Sequence, residues 1–73
     1  MFLVVEGARV YNLNIVKSIF IIEDGNNHNI IMSYANSEPV VIFTRRDADV
    51  VKKCFGNLLD DMRKEQKVIA LRW

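Results

Sequence analysis

Two stretches of this chain are apolar at four consecutive positions, Ile19-Phe20-Ile21-Ile22 and Val40-Val41-Ile42-Phe43, and both have the length and composition of strands. Side chains alternate between the faces of a sheet, so Ile19 and Ile21 oppose Phe20 and Ile22, while Val41 and Phe43 oppose Val40 and Ile42. Such strands need cover on both faces. Only one amphipathic helix is available: Ala48, Val51, Cys54, Phe55, Leu58, Leu59 and Met62 recur every three or four residues, opposite Asp49, Lys52, Lys53, Asn57, Asp60, Arg63 and Lys64. A helix is about 10 Å across and strands lie about 4.8 Å apart, so one helix covers two or three strands on one face. The expected cover for the other face is a second copy of the chain, packed sheet on sheet about a two-fold axis. Phe20, Ile22, Val40 and Ile42 then form the dimer interface. Ile69, Leu71 and Trp73 of the C-terminal strand join them, whether that strand folds back or exchanges between subunits.

The rest of the chain fits the same frame. Phe2 to Val5, a Glu6-Gly7 turn and Ala8 to Leu13 read as a hairpin, and Asn14 can cap a single turn before the next strand. Asp24-Gly25-Asn26-Asn27 is a turn, followed by a strand that places Ile30, Met32 and Tyr34 on one face and Asn29, Ile31 and Ser33 on the other. Pro39 suits the start of a strand. Thr44 with Asp47 three residues on predicts a helix N-cap, and Gly56 inside that helix suggests a bend or the close approach of another backbone. The expected fold is one α+β domain over 1–73: an antiparallel β-meander of four to five strands, a long amphipathic helix at about 45–64, and a C-terminal β-strand from Lys67 to Trp73.

The run Asn12-Leu13-Asn14-Ile15-Val16-Lys17-Ser18-Ile19, with the helix start Thr44-Arg45-Arg46-Asp47, is similar to that of small bacterial and phage proteins built as a curled antiparallel sheet crossed by one helix. The resemblance implies that architecture and no activity.

Hydrophobic residues make up 51% of the chain and charged residues 26%, a composition that folds. No apolar run approaches the roughly 20 residues of a membrane span, and Met1 to Val5 runs straight into Glu6-Gly7-Ala8-Arg9 without a basic leader. A soluble, cytoplasmic protein is expected, with no membrane partner. His28 is the one histidine and Cys54 the one cysteine, so neither a zinc ligand set nor an internal disulfide can be assembled. No cofactor is expected. Phosphate-binding and nucleophile-elbow motifs are absent, and the carboxylates Asp47, Asp49, Asp60 and Asp61 are accounted for by the helix, so no catalytic residue is assigned and a non-enzymatic protein is expected.

The net charge of +1 argues against coating nucleic acid by bulk electrostatics. Charge is nonetheless uneven, at −2 over residues 1 to 43 and +3 over residues 44 to 73. Arg45, Arg46, Lys52, Lys53, Arg63, Lys64, Lys67 and Arg72, with the ring of Trp73, are therefore the candidate partner-binding set. Two arginines at a helix N-terminus oppose the helix dipole, and Asp47 and Asp49 offset them. The expected function is a homodimeric interaction or regulatory protein, a bacterial or phage inhibitor or adaptor, that binds another macromolecule. The alternatives are a nucleic-acid binder using the basic C-terminal surface and a small-ligand binder with a pocket at the dimer seam.

Overall fold

A computed structural model describes residues 1–35 and 37–71, so the roles expected of Arg72 and Trp73 lie outside the described residues. The strands are β1 (Phe2–Val5), β2 (Arg9–Asn12), β3 (Val16–Asp24), β4 (Asn27–Tyr34), β5 (Val40–Arg45) and β6 (Val68–Leu71), with helix α1 (Ala48–Arg63) between β5 and β6. The class is α+β, as the sequence implies. The meander, however, divides into two three-stranded sheets, β2-β1-β6 and β3-β4-β5.

The division falls at a short 3-10 turn, Leu13–Ile15. Its cap is Asn12 and not Asn14: the Asn12 side-chain oxygen accepts from the Asn14 backbone N–H at 3.0 Å, which ends β2 and redirects the chain. In the first sheet β1 and β2 form the expected hairpin, and the β-turn Val5–Ala8 closes through Ala8 N–H donating to the Val5 carbonyl at 2.9 Å. Glu6 and Gly7 both have positive φ there, 51° and 68°, the backbone of a type I′ turn. The C-terminal strand folds back: β6 lies parallel to β1 in the same chain, Phe2 opposite Val68 and Val5 opposite Leu71.

The second sheet is antiparallel throughout, and its β3–β4 hairpin turns at Gly25, whose φ of 61° suits the first central position of a type II′ turn. The central strand is β4, with the two apolar stretches read from the sequence at the edges. α1 packs chiefly on β4, β5 and β6 and so bridges the two sheets. Its apolar stripe holds the expected phase, with Val51, Cys54 and Leu58 buried. One core joins them to Leu3 and Val5 of β1, Ile30 and Met32 of β4, Ile42 and Phe43 of β5, and Ile69 and Leu71 of β6.

That core takes three residues assigned above to a dimer interface and draws a fourth, Val40, against its side. Ile69 and Leu71 are 2% and 3% exposed because β6 turns them inward against β1 and α1. Ile42 is 1% exposed for a different reason. The β4–β5 register passes from Ile30 opposite Phe43 to Ile31 opposite Val41, so Ile42 is an extra residue in β5. A one-residue bulge reverses the alternation on either side of it. Val40 therefore packs against the core, and Val41 takes the outer face.

The helix starts later than the sequence suggested. Thr44 and Arg45 remain in β5, paired with Asn29 and His28. Asp47 is the N-cap, its side-chain oxygen accepting from Asp49 N–H at 2.9 Å and Val50 N–H at 3.4 Å. Asp49 in the first turn and Arg63 in the last then match the helix dipole. Arg45 and Arg46 precede the helix. Replacing Asp47 with alanine is expected to cost about 1 kcal/mol, whereas Thr44→Ala should stay within about 0.5 kcal/mol, as surface changes do. Urea denaturation of the two variants checks this, and the reverse order would return the cap to Thr44.

Candidate interaction surface

The second sheet turns an apolar face away from the core. With β3 as one edge, Phe20 lies opposite Ile31, and Ile31 lies opposite Val41 in β5, giving one hydrophobic row across all three strands. The row beyond it runs Ile22, Asn29, Thr44, and on the other side Ser18 faces Ser33. The outer face thus has an apolar centre and a polar rim, the composition of a binding surface. Ile22 and Val41 are 45% and 44% exposed, while Ile31 is only 9% exposed with no helix above it. Its shelter comes from Phe20 and Val41, its direct neighbours in the ladder.

The first sheet repeats the pattern in weaker form. On its outer face Phe2 pairs with Val68, and Val4 with Val10 and Ala70. Phe2, Val10 and Val68 are all exposed. The sequence marks Phe20 and Ile22 as interface residues but not Ile31 or Val41. Ile31 was legible, since its strand's alternation put it on the face of Asn29 and Ser33. Val41 was hidden by the bulge at Ile42.

The basic residues do not gather with this face. Arg45 is committed within the chain: its guanidinium pairs with the Glu6 carboxylate on the β1–β2 turn and lies over the Phe43 ring, 4.3 Å from its centroid. It also donates to the Thr44 carbonyl at 2.6 Å. Arg45 is thus a strut from the second sheet to the turn of the first. Glu6 occupies a left-handed conformation that costs an ordinary residue about 1–2 kcal/mol, and it holds the other end of that strut. The carboxylate that Arg45 meets is therefore that of Glu6 across the sheets, while the Asp49 backbone N–H donates to the Asp47 side chain in the helix cap.

Arg46, Lys52, Lys53, Arg63 and Lys64 are exposed, and Lys67 stands beyond the helix just before β6. Asp49 and Asp60 share the solvated side of α1 with them, and Asp60 reaches Arg63 at 3.6 Å. The field of the helix is therefore mixed in sign. Gly56, on the same side, has open space where a Cβ would go, so among the described residues no closely approaching backbone explains it.

Cys54 is buried in the core, and burial pushes its thiol above the ordinary value, with Arg45 and Lys53 pulling it down and Glu6 pushing it up. A thiol held protonated is a poor nucleophile. His28 is half-buried in β4 beside Glu23 and Arg45 in the ladder. Among the described residues no three His, Cys, Asp or Glu side chains are grouped to hold a metal, and no pocket is formed. Among the described residues no helix is long and apolar enough to cross a membrane. Compared with protein-family models, curated proteins and solved structures, the chain matches none.

Proposed function

We propose that the chain is a small non-enzymatic interaction protein that works as a homodimer and binds another macromolecule, in the manner of an inhibitor or adaptor, through the outer face of its second sheet. The observation that supports this reading is the uncovered row Phe20–Ile31–Val41 with Ile22 beside it. Ile22 and Val41 remain largely in water, and a partner that covered them would gain from it, since an apolar side chain moved out of water contributes about 1.5–3 kcal/mol when fully buried. An apolar centre with a rim of Ser18, Ser33, Asn29 and Thr44 fits a protein surface better than a phosphate backbone, and the mixed charge of α1 favours the same choice.

The test is the double variant Ile22→Lys/Val41→Lys, which changes two solvent-facing positions. The wild type should sediment above its 8.5 kDa monomer mass at micromolar concentration, and affinity capture from the native host should retain a protein that the variant loses. A monomeric wild type removes the homodimer. Equal capture by both proteins removes the outer face as the binding surface, and capture of nucleic acid that falls away steeply with salt would replace this reading with the nucleic-acid one.

A further inference from the structure

β3 is nine residues long and hydrogen-bonds to β4 on one side only; among the described residues nothing pairs with its other edge. A long, apolar, open edge is a template for another strand. The two-residue turn makes Asp24 and Asn27 a hydrogen-bonded pair, so by alternation Ile22, Phe20 and Ser18 also spend their backbone groups on β4. The N–H and C=O groups of Ile19 and Ile21 are left pointing out of the open edge. Their side chains are also only half-buried at the margin of the core, because α1 packs chiefly on β4, β5 and β6.

The sequence of β3 is complementary to itself when reversed. Lys17 stands three residues before Phe20 and Glu23 three residues after it. We infer that β3 is the seam of the homodimer: the β3 of a second copy pairs with it antiparallel across the open edge, on a two-fold axis through Phe20. This inference rests on the homodimer reading above and adds its register.

In that register Ile19 faces the partner's Ile21 and Ile21 the partner's Ile19, which are the residues whose backbone groups are free to bond. Lys17 meets the partner's Glu23 at one end and Glu23 meets the partner's Lys17 at the other. The two Phe20 rings meet at the axis. All nine residues find a counterpart, and the β3-β4-β5 sheets of the two copies join into one sheet of six strands with a continuous outer face. Neighbouring registers fail on charge: moving the axis to Ile21 sets Lys17 against Gly25 and Glu23 against Ile19. The other long edge, β5, offers no such match, since reversal sets Arg45 against Val40, and its line is broken by the bulge at Ile42. Lys17 is itself the extra residue of a bulge, between Val16 and Ser18, and a lysine on a bulge alone would read as an edge guard. Glu23, set at the matching distance on the far side of Phe20, makes it half of an ion pair.

The test compares the wild type with Lys17→Glu, Glu23→Lys and the double reversal by sedimentation equilibrium. These side chains are exposed, and circular dichroism confirms that each variant is folded. Each single reversal places like charges opposite each other at both ends of the seam and should weaken the dimer roughly ten-fold or more. The double reversal should restore affinity to within about three-fold of wild type. Phe20→Cys should form a disulfide-linked dimer under mild oxidation, because opposed residues of a non-hydrogen-bonded pair have Cα atoms about 4.5 Å apart, within disulfide reach. The wild type, with Cys54 buried, should not. A wild-type dimer indifferent to both single reversals and not linked through Phe20→Cys overturns this seam while leaving the homodimer standing. A wild-type monomer overturns both.

Discussion

Leu58→Ala is expected to unfold most of the chain at room temperature. Leu58 is 1% exposed on the stripe of α1 that packs on β4, β5 and β6, so its side chain sits where the two sheets and the helix share one core. Truncating a buried leucine removes its transfer free energy and leaves a cavity, at a combined cost of about 2–5 kcal/mol. A single core in a chain this short supplies no more than about 3–5 kcal/mol of net stability. Loss and reserve are of the same size, and a cooperative thermal transition should vanish or fall far below that of wild type. Leu59→Ala is the matched control: Leu59 is the next residue and only half-buried, so its loss should cost well under half as much. Equal costs for the two in urea titrations would mean that the helix is rotated from the phase described. Because association stabilises the folded state by mass action, the comparison is made at one protein concentration.

The phase of α1 was legible because seven apolar residues agree on one stripe, and no local competitor disturbs that agreement. Its start was not legible. Thr44 and Asp47 are both good N-caps, and what decides between them is the pairing of Thr44 with Asn29 and Arg45 with His28, a contact between segments far apart in the chain. The same cause lies behind the split meander. Asn12 and Asn14 look alike in sequence, and only the turn they build settles that Asn12 is the cap.

The candidate surface was half legible for a related reason. Strand alternation places Phe20 and Ile22 on one face, and that placement survives folding because β3 is regular over those residues. The same rule applied to β5 chooses Val40 and Ile42, and it fails because one inserted residue reverses the parity. Nothing in Val40-Val41-Ile42-Phe43 marks where such an insertion sits; all four residues are apolar and suited to a strand. Ile69 and Leu71 are a third case. Their alternation was read correctly, but whether an alternating strand covers its own core or a neighbour's depends on its partner, and β1 is that partner.

The helix also carries two residues at each other's best positions. Gly56 lies in its interior with open space where a Cβ would go, and Glu65 lies just past its end at a φ of 55°. Glu65 N–H donates to the Met62 carbonyl at 3.1 Å and Gln66 N–H to the Asp61 carbonyl at 3.3 Å, the pair of bonds that closes a helix with a left-handed residue. Glycine is preferred at that closing position and disfavoured in the interior, and this chain has the reverse. Gly56→Ala is expected to stabilise by about 1 kcal/mol through helix propensity, and Glu65→Gly by about 1 kcal/mol through relief of the left-handed backbone. The sites are nine residues apart, about 13 Å along the axis, so the effects should add. The double variant should then melt roughly 8–16 °C above wild type, at about 4–8 °C per kcal/mol for a domain of this size. Gly56→Ala also bears on function. If it stabilises the isolated chain but weakens capture of the partner, the glycine keeps room on α1 for a neighbouring backbone; if capture is unchanged, the solvated side of α1 lies outside the interface and the outer sheet face carries the binding alone.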